Sequence, residues 1–199
     1  MKSLKTTGNN MNKIFAVWCK VELTKKPAWL DDFRLKYDLP YEYHVTLKQP
    51  CYIEENDFKK VKLIMDNLFI KYLKTKNITL NFTKLELDSD LDDSFIYILS
   101  EKNQELERIQ KIIVKELKDY SEYEQTKNRE YEENFRPHIT IARKLDNVRF
   151  KQAQSELKND YMCTGIIKEV ILSCVKEVSI KESMDPKNRV VYKLERNED

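Results

Sequence analysis

Apolar and polar residues alternate along this chain with two different periods, and the changes of period mark out its elements. Residues 14–23 (IFAVWCKVEL) are apolar and β-branched enough for a strand. Pro27 opens a short amphipathic helical segment, PAWLDDFRLKY. Residues 43–49 (YHVTLKQ) alternate as a strand that stops at Pro50. Over 57–72, Phe58, Val61, Ile64, Met65, Leu68 and Tyr72 recur at helical intervals, with lysines on the other face. Residues 78–87 and 94–100, joined by the acidic turn DSDLDD, predict a β-hairpin. Leu106, Ile109, Ile113 and Leu117 then stripe a second amphipathic helix over 105–120. Residues 121–137 are polar, charged and aromatic without a period. They read as a long connector between lobes, with Arg129, Tyr131 and Arg136 as contacts if it closes over a ligand. After it come a strand (136–143), a short helix (148–157), a long strand (166–180) and its hairpin partner (189–195) across MDPKN.

The order strand, helix, hairpin thus occurs twice. His44 lies 52 positions before Ile96 in the last strand of the first set, and His138 lies 53 before Val191 in the second. Duplication of one βαββ unit explains both. The fold class that follows is α+β and bilobal: two units related by a pseudo-two-fold axis, antiparallel sheets facing a central groove, and helices outside. Residues 1–12 read as a flexible tail and 13–199 as a single bilobal domain, its units spanning 43–100 and 136–195.

Composition narrows the classes. With 41% hydrophobic and 35% charged residues, the 199-residue chain is a folded, highly charged protein. The net charge of +2 argues against a nucleic-acid coat protein, though not against local recognition of a phosphate. No apolar run reaches the length of a membrane span, and the N-terminus has no secretory apolar core. Cys19, Cys51, Cys163 and Cys174 are scattered without a C-x-x-C or a nearby spare histidine, which predicts reduced cysteines in a cytoplasmic protein and no metal site.

The chain has two histidines, and each opens the same motif: His44-Val45-Thr46-Leu47 and His138-Ile139-Thr140-Ile141. Residues two apart on a strand share a face, so imidazole and hydroxyl point one way and the aliphatics anchor the other. Such a motif should follow about one histidine in thirty by composition alone. Finding it twice, at equivalent points of a repeat, favours chemistry over packing. Opening a phosphodiester with water needs a base for the water proton and an acid for the departing oxygen, and imidazole serves both near neutral pH. The Thr hydroxyls can donate to the non-bridging oxygens, and nearby cations can carry the remaining charge without a metal or other cofactor. One histidine must then be neutral and the other charged, which gives a bell-shaped pH dependence.

These paired motifs resemble those of the two-histidine (2H) phosphoesterase superfamily, and FRPHITIAR is similar to the second motif of the RNA 2′,3′-cyclic phosphodiesterases, also called 2′-5′ RNA ligases. The resemblance covers residues 13–195 in layout, with only the two motifs specific. It implies a groove between two lobes, metal-independent catalysis, and His44, Thr46, His138 and Thr140 as the core site. It also implies His44 as acid and His138 as base, and Arg143 as a phosphate or nucleotide contact. By strict alternation Arg143 points away from His138, so its part requires the strand to end or twist there. The family commonly continues its first motif with an aromatic and a glycine; this chain has Lys48-Gln49-Pro50. Lys48 shares the parity of His44 and becomes a candidate phosphate contact. Tyr41, Tyr43, Tyr52 and Tyr131 are candidates to replace the missing base-stacking ring.

The implied substrates are RNA ends bearing a 2′,3′-cyclic phosphate, or small cyclic or 2′-5′ nucleotides, with 2′-5′ ligation as the reverse reaction. Phosphodiester cleavage of 2′-5′ oligoadenylate or cyclic oligonucleotide signals, as an immune-evasion activity, and a non-catalytic RNA-end-binding module are the alternatives. One chain supplies both motifs, which predicts a monomer.

Overall fold

The computed structural model describes residues 13–38, 42–71, 77–89, 93–177 and 179–194. The expected tail (1–12), Tyr41, Tyr72 and the middle of the acidic turn (90–92) lie outside them. The chain runs β1 (Lys13–Lys25), α1 (Leu30–Tyr37), β2 (His44–Ile53), α2 (Glu55–Lys71), β3 (Ile78–Asp88) and β4 (Ser94–Ser100). It continues through α3 (Gln104–Glu116), α4 (Asn128–Glu133), β5 (His138–Leu145), α5 (Asn147–Glu156), β6 (Cys163–Val175), α6 (Ile180–Met184) and β7 (Arg189–Lys193). This is an α+β fold with antiparallel pairing throughout the sheet.

Two elements go beyond the hydrophobic pattern. The expected loop 121–137 contains α4, and the long strand expected to 180 ends at Val175, followed by α6, capped by the Ser179 hydroxyl accepting from the Glu182 amide, and a 3-10 turn at Pro186–Asn188 within MDPKN. β2 also continues past Pro50 to Ile53. Proline is tolerated there because β2 is a terminal strand of the sheet.

Strand order is β2-β1-β6-β3-β4-β5, with β7 also on β6. The long β6 explains the two halves. One of its edges pairs with β1; the other holds β3 along Cys163–Ile167 and β7 along Glu169–Ser173. Gly165 sits at the crowded point of this junction, opposite both Leu23 and Leu80, where a Cβ would lie 2.4 Å from Val21 Cγ1. The two sequence units interleave here rather than making one lobe apiece. The first unit's hairpin, β3–β4, pairs with the second motif's strand β5, and the second unit's hairpin, β6–β7, pairs with β1 beside β2.

β2 and β5 end opposite sides of the pairing path, yet they approach one another, and α1 packs against β5. Their burial runs in step: His and Thr are half-buried, the residue after each is buried, and so is the next one, Lys48 or Ala142. The cause is a matched bulge. Thr46 pairs with Trp18 but Lys48 pairs with Val17, leaving Leu47 extra; Thr140 pairs with Tyr97 but Ala142 with Ile96, leaving Ile141 extra. Beneath the strands, Phe15, Leu47, Met65, Phe82, Ile98, Leu106 and Ile109 are fully buried. Each contributes roughly 1.5–3 kcal/mol of transfer free energy. The histidine strands are therefore anchored on their apolar side. No helix among the described residues is long and apolar enough to cross a membrane.

Candidate active site

Each histidine is held in the same way. His44 Nδ1 donates to the Glu42 carbonyl at 2.9 Å, and His138 Nδ1 donates to the Arg136 carbonyl at 2.8 Å. A carbonyl only accepts, so the proton is fixed on Nδ1 and Nε2 is left to give or take a proton. Thr46 and Thr140 stand two residues on, and neither hydroxyl has a side-chain hydrogen-bond partner among the described residues.

An aromatic ring backs each imidazole. Trp18 meets His44 edge-on at 5.5 Å between centroids, and Tyr97 lies against His138 at 4.8 Å. These are the residues paired with Thr46 and Thr140 across the ladder. The sequence reading missed both. An aromatic inside an apolar strand reads as core, and only the inter-strand register reveals that it faces the motif.

An ion cluster flanks each position, in both cases one carboxylate held between a lysine and an arginine. Beside His44, Glu42 bridges Lys20 at 2.9 Å and Arg189 at 2.8 Å, and the Arg189 guanidinium lies 4.9 Å over the Trp18 ring. Beside His138, Arg136 and Lys84 converge on Glu86, to which the Tyr97 hydroxyl donates at 3.4 Å. Burial, reinforced by the charges of Arg34, Arg143 and His138, pushes His44 down to about 4. His138 is also lowered, mainly by burial and then by Arg136, while Glu86 favours its charged form. The influence of His138 on His44 means that the fold brings the two motifs into one electrostatic neighbourhood.

The other expected contacts divide. Ile141 as a bulge residue restores Arg143 to the face of His138 and Thr140, supplying the twist that its involvement required. Arg143 pairs with Asp38 at 2.6 Å. Lys48 goes the other way. The bulge at Leu47 turns it toward the buried Val17 side, where it is fully enclosed and paired with Glu132 at 2.8 Å. Lys48 is therefore a structural tie and not a phosphate contact.

Tyr123 completes that tie, donating to Glu132 at 2.7 Å, and the Gln49 amide donates to the second Glu132 oxygen at 3.0 Å. The Tyr52 amide donates to the Glu122 carbonyl and the Glu124 amide to the Pro50 carbonyl. Segment 121–137 is thus fastened along β2. Tyr43 is likewise engaged, with its hydroxyl on Asp31 at 2.9 Å and Arg34 4.1 Å over its ring. Tyr131 is exposed, reaches Asp88 at 3.3 Å and lies close enough to Tyr97 to act on its ionisation. A cleft of about 630 Å³ between α3 and the end of α4 adjoins this region through Arg136. Among the described residues, no three His, Cys, Asp or Glu side chains cluster closely enough to hold a metal ion. The four cysteines are buried and free.

The model of the 2′-5′ RNA ligase superfamily matches residues 27–173. A protein of Geobacillus sp. (strain WCH70) named "Putative phosphoesterase" is 32% identical over 132 residues, which cover 64% of this chain and 68% of that protein. Among solved structures, E. coli LigT complexed with 3′-AMP superposes with a TM-score of 0.50 at 12% identity, covering 92% of this chain and 96% of LigT. Kluyveromyces marxianus Usb1 with uridine monophosphate gives 0.51 at 9% identity, covering 91% and 98%. At those identities the structural likeness speaks for the fold.

Proposed function

The chain belongs to the 2′-5′ RNA ligase superfamily of two-histidine phosphoesterases, and from that membership we propose that it hydrolyses 2′,3′-cyclic phosphates at RNA or nucleotide ends without a metal. The observation that carries this reading is the matched pair of imidazoles, each with Nδ1 pinned to the carbonyl two residues back and a Thr hydroxyl beside it. Family and fold support a phosphoesterase-type activity; the substrate and the steps below are our own reading.

Water attacks phosphorus while one Nε2 takes its proton, and the P–O3′ bond breaks as the other imidazolium protonates the departing oxygen. The product is a 2′-phosphate with a free 3′-hydroxyl. Thr46, Thr140 and Arg143 hold the non-bridging oxygens, whose charge grows in the transition state. We assign the base to His44, which burial and then its cationic surroundings keep neutral, and the acid to His138, which burial and Arg136 also lower but which has Glu86 nearby to favour its charged form. This reverses the roles that the family resemblance implies. One chain supplies every group, so the working form in this reading is a monomer, and reduced cysteines fit a cytoplasmic setting.

The test is a substrate panel in EDTA: 2′,3′-cyclic nucleotides, a cyclic-ended oligoribonucleotide, 2′-5′ oligoadenylate and cyclic dinucleotides. Turnover of the 2′,3′-cyclic substrates to 2′-phosphates, unchanged by EDTA, is the expected result. Activity that EDTA abolishes overturns the metal-free mechanism. Cleavage restricted to 2′-5′ or cyclic oligonucleotides moves the function to signal degradation. Binding of RNA ends with no turnover makes the protein a recognition module.

A further inference from the structure

A single buried carboxylate connects the two halves of the site. Asp38 follows α1, and its side chain is 2% exposed. One oxygen accepts a hydrogen bond from Arg34 Nε at 3.0 Å, and the other lies in ion-pair contact with Arg143 Nε at 2.6 Å, without hydrogen-bond alignment. Arg34 belongs to α1, whereas Arg143 belongs to β5 and follows the second motif. Arg34 also donates from Nη2 to the Glu42 carbonyl at 3.5 Å, the same oxygen that accepts from His44 Nδ1. A continuous set of contacts therefore runs from the second motif's strand, through Asp38 and Arg34, to the anchor of the first motif's histidine.

We propose that Asp38 is a positioning residue for the groove, holding Arg143 from one half against His44 from the other so that its guanidinium meets the phosphoryl group between them. The proposal rests on reading the groove as a phosphoryl site. Its physical basis is the cost of leaving a buried carboxylate unpaired, which fixes both arginines to it. Arginine suits the place because its planar fork can keep Nε on one partner and direct its other donors elsewhere.

The charge balance agrees. Two guanidiniums around one carboxylate leave a net cation facing His44, and both arginines add to the burial that holds its imidazole neutral. The remaining charged groups around His44 are His138 on β5, Lys20 on β1, Glu42 before β2 and Arg189 on β7. Glu42 is already paired with both Lys20 and Arg189. Asp38 is thus a carboxylate that holds the Arg143 charge beside α1. Sequence reading had no route to it, because Asp38 and Arg143 meet only through the docking of α1 on β5.

Inorganic phosphate is the probe, so the test does not depend on turnover. With two histidines in the whole chain, imidazole NMR reports on each directly. Asp38→Asn should weaken phosphate binding by about tenfold, the loss of one charge-assisted contact. Arg143→Gln should do the same, and the double variant should be no weaker than Arg143→Gln alone to within about twofold, since both remove one interaction. In Arg143→Gln the protonation midpoint of His44 should rise, because a cation has left. Wild-type phosphate affinity in a folded Asp38→Asn protein overturns the proposal, as does full additivity in the double variant. A purely structural role would lower the melting temperature and leave phosphate affinity unmoved. If Asp38→Asn does not fold, Arg143→Gln decides, and an unmoved His44 midpoint overturns the proposal. Phosphate binding coupled as described, with no cyclic phosphate turned over, defeats the proposed reaction alone. Normal turnover with phosphate binding indifferent to Asp38 defeats the positioning role alone.

Discussion

His44 and His138 meet the same local demand through different surroundings. Each donates from Nδ1 to a carbonyl, rests on an aromatic ring and is lowered mainly by burial, but the charges around them differ: Arg34 and Arg143 act on His44, whereas at His138 the effect of Arg136 is opposed by Glu86. With His44 as base and His138 as acid, kcat/KM should rise as His44 loses its proton near pH 4. It should then fall as His138 loses its own below the ordinary imidazole value of 6.5. The optimum for the free enzyme therefore lies on the acid side of 6.5, while kcat, measured with an anionic phosphate bound, should peak at higher pH because the anion favours imidazolium. A kcat/KM optimum above pH 7 contradicts these assignments. Removing a hydroxyl should be milder than removing an imidazole: Thr46→Val and Thr140→Val should each lower kcat by about 10²–10³, as the loss of one preorganised donor does elsewhere. Single-turnover kinetics checks this without interference from product release.

The strand-level features explain both the successes and the misreadings of the pattern. His-x-Thr was legible because two residues on one strand share a face regardless of what lies beyond. Alternation carried across Leu47 puts Lys48 on the face of His44, but a bulge cannot be read from alternation, and in the fold Lys48 turns to the buried side. The same kind of bulge at Ile141 turns Arg143 to the face of His138 and Thr140, so one irregularity moves two cations in opposite senses. Trp18 and Tyr97 are illegible for a related reason, since each lies on the strand that neighbours a motif in the sheet, Trp18 on β1 and Tyr97 on β4. The buried Lys48–Glu132 pair now reads as a fastening between β2 and the segment leading to β5. Lys48→Met should destabilise the protein by about 3–5 kcal/mol in urea unfolding, because Glu132 is left buried without a partner. Adding Glu132→Gln should recover part of that loss. A loss below about 1 kcal/mol for Lys48→Met would mean that the pair is not the tie described.

At the scale of the molecule, the duplication predicted two units and the sheet contains both, yet neither can complete its pairing alone. β6 holds β1, β3 and β7 together, and the motif strands end opposite sides of one ladder while approaching one another. We therefore propose one cooperative domain, and expect fluorescence of Trp18 and Trp29 and far-UV dichroism to report coincident urea transitions. Separate transitions would instead show the units folding independently. Such interleaving gives one chain two equivalent motif strands in contact with one another, and the central claim of the proposed function is that their histidines act together on one phosphorus. The most direct measurement is steady-state hydrolysis of a 2′,3′-cyclic nucleotide in EDTA by the wild type and by folded His44→Ala and His138→Ala proteins. Each single variant should lose at least about 10²-fold in kcat, the least that general acid–base catalysis contributes. Wild-type turnover in either variant would contradict the catalytic pair.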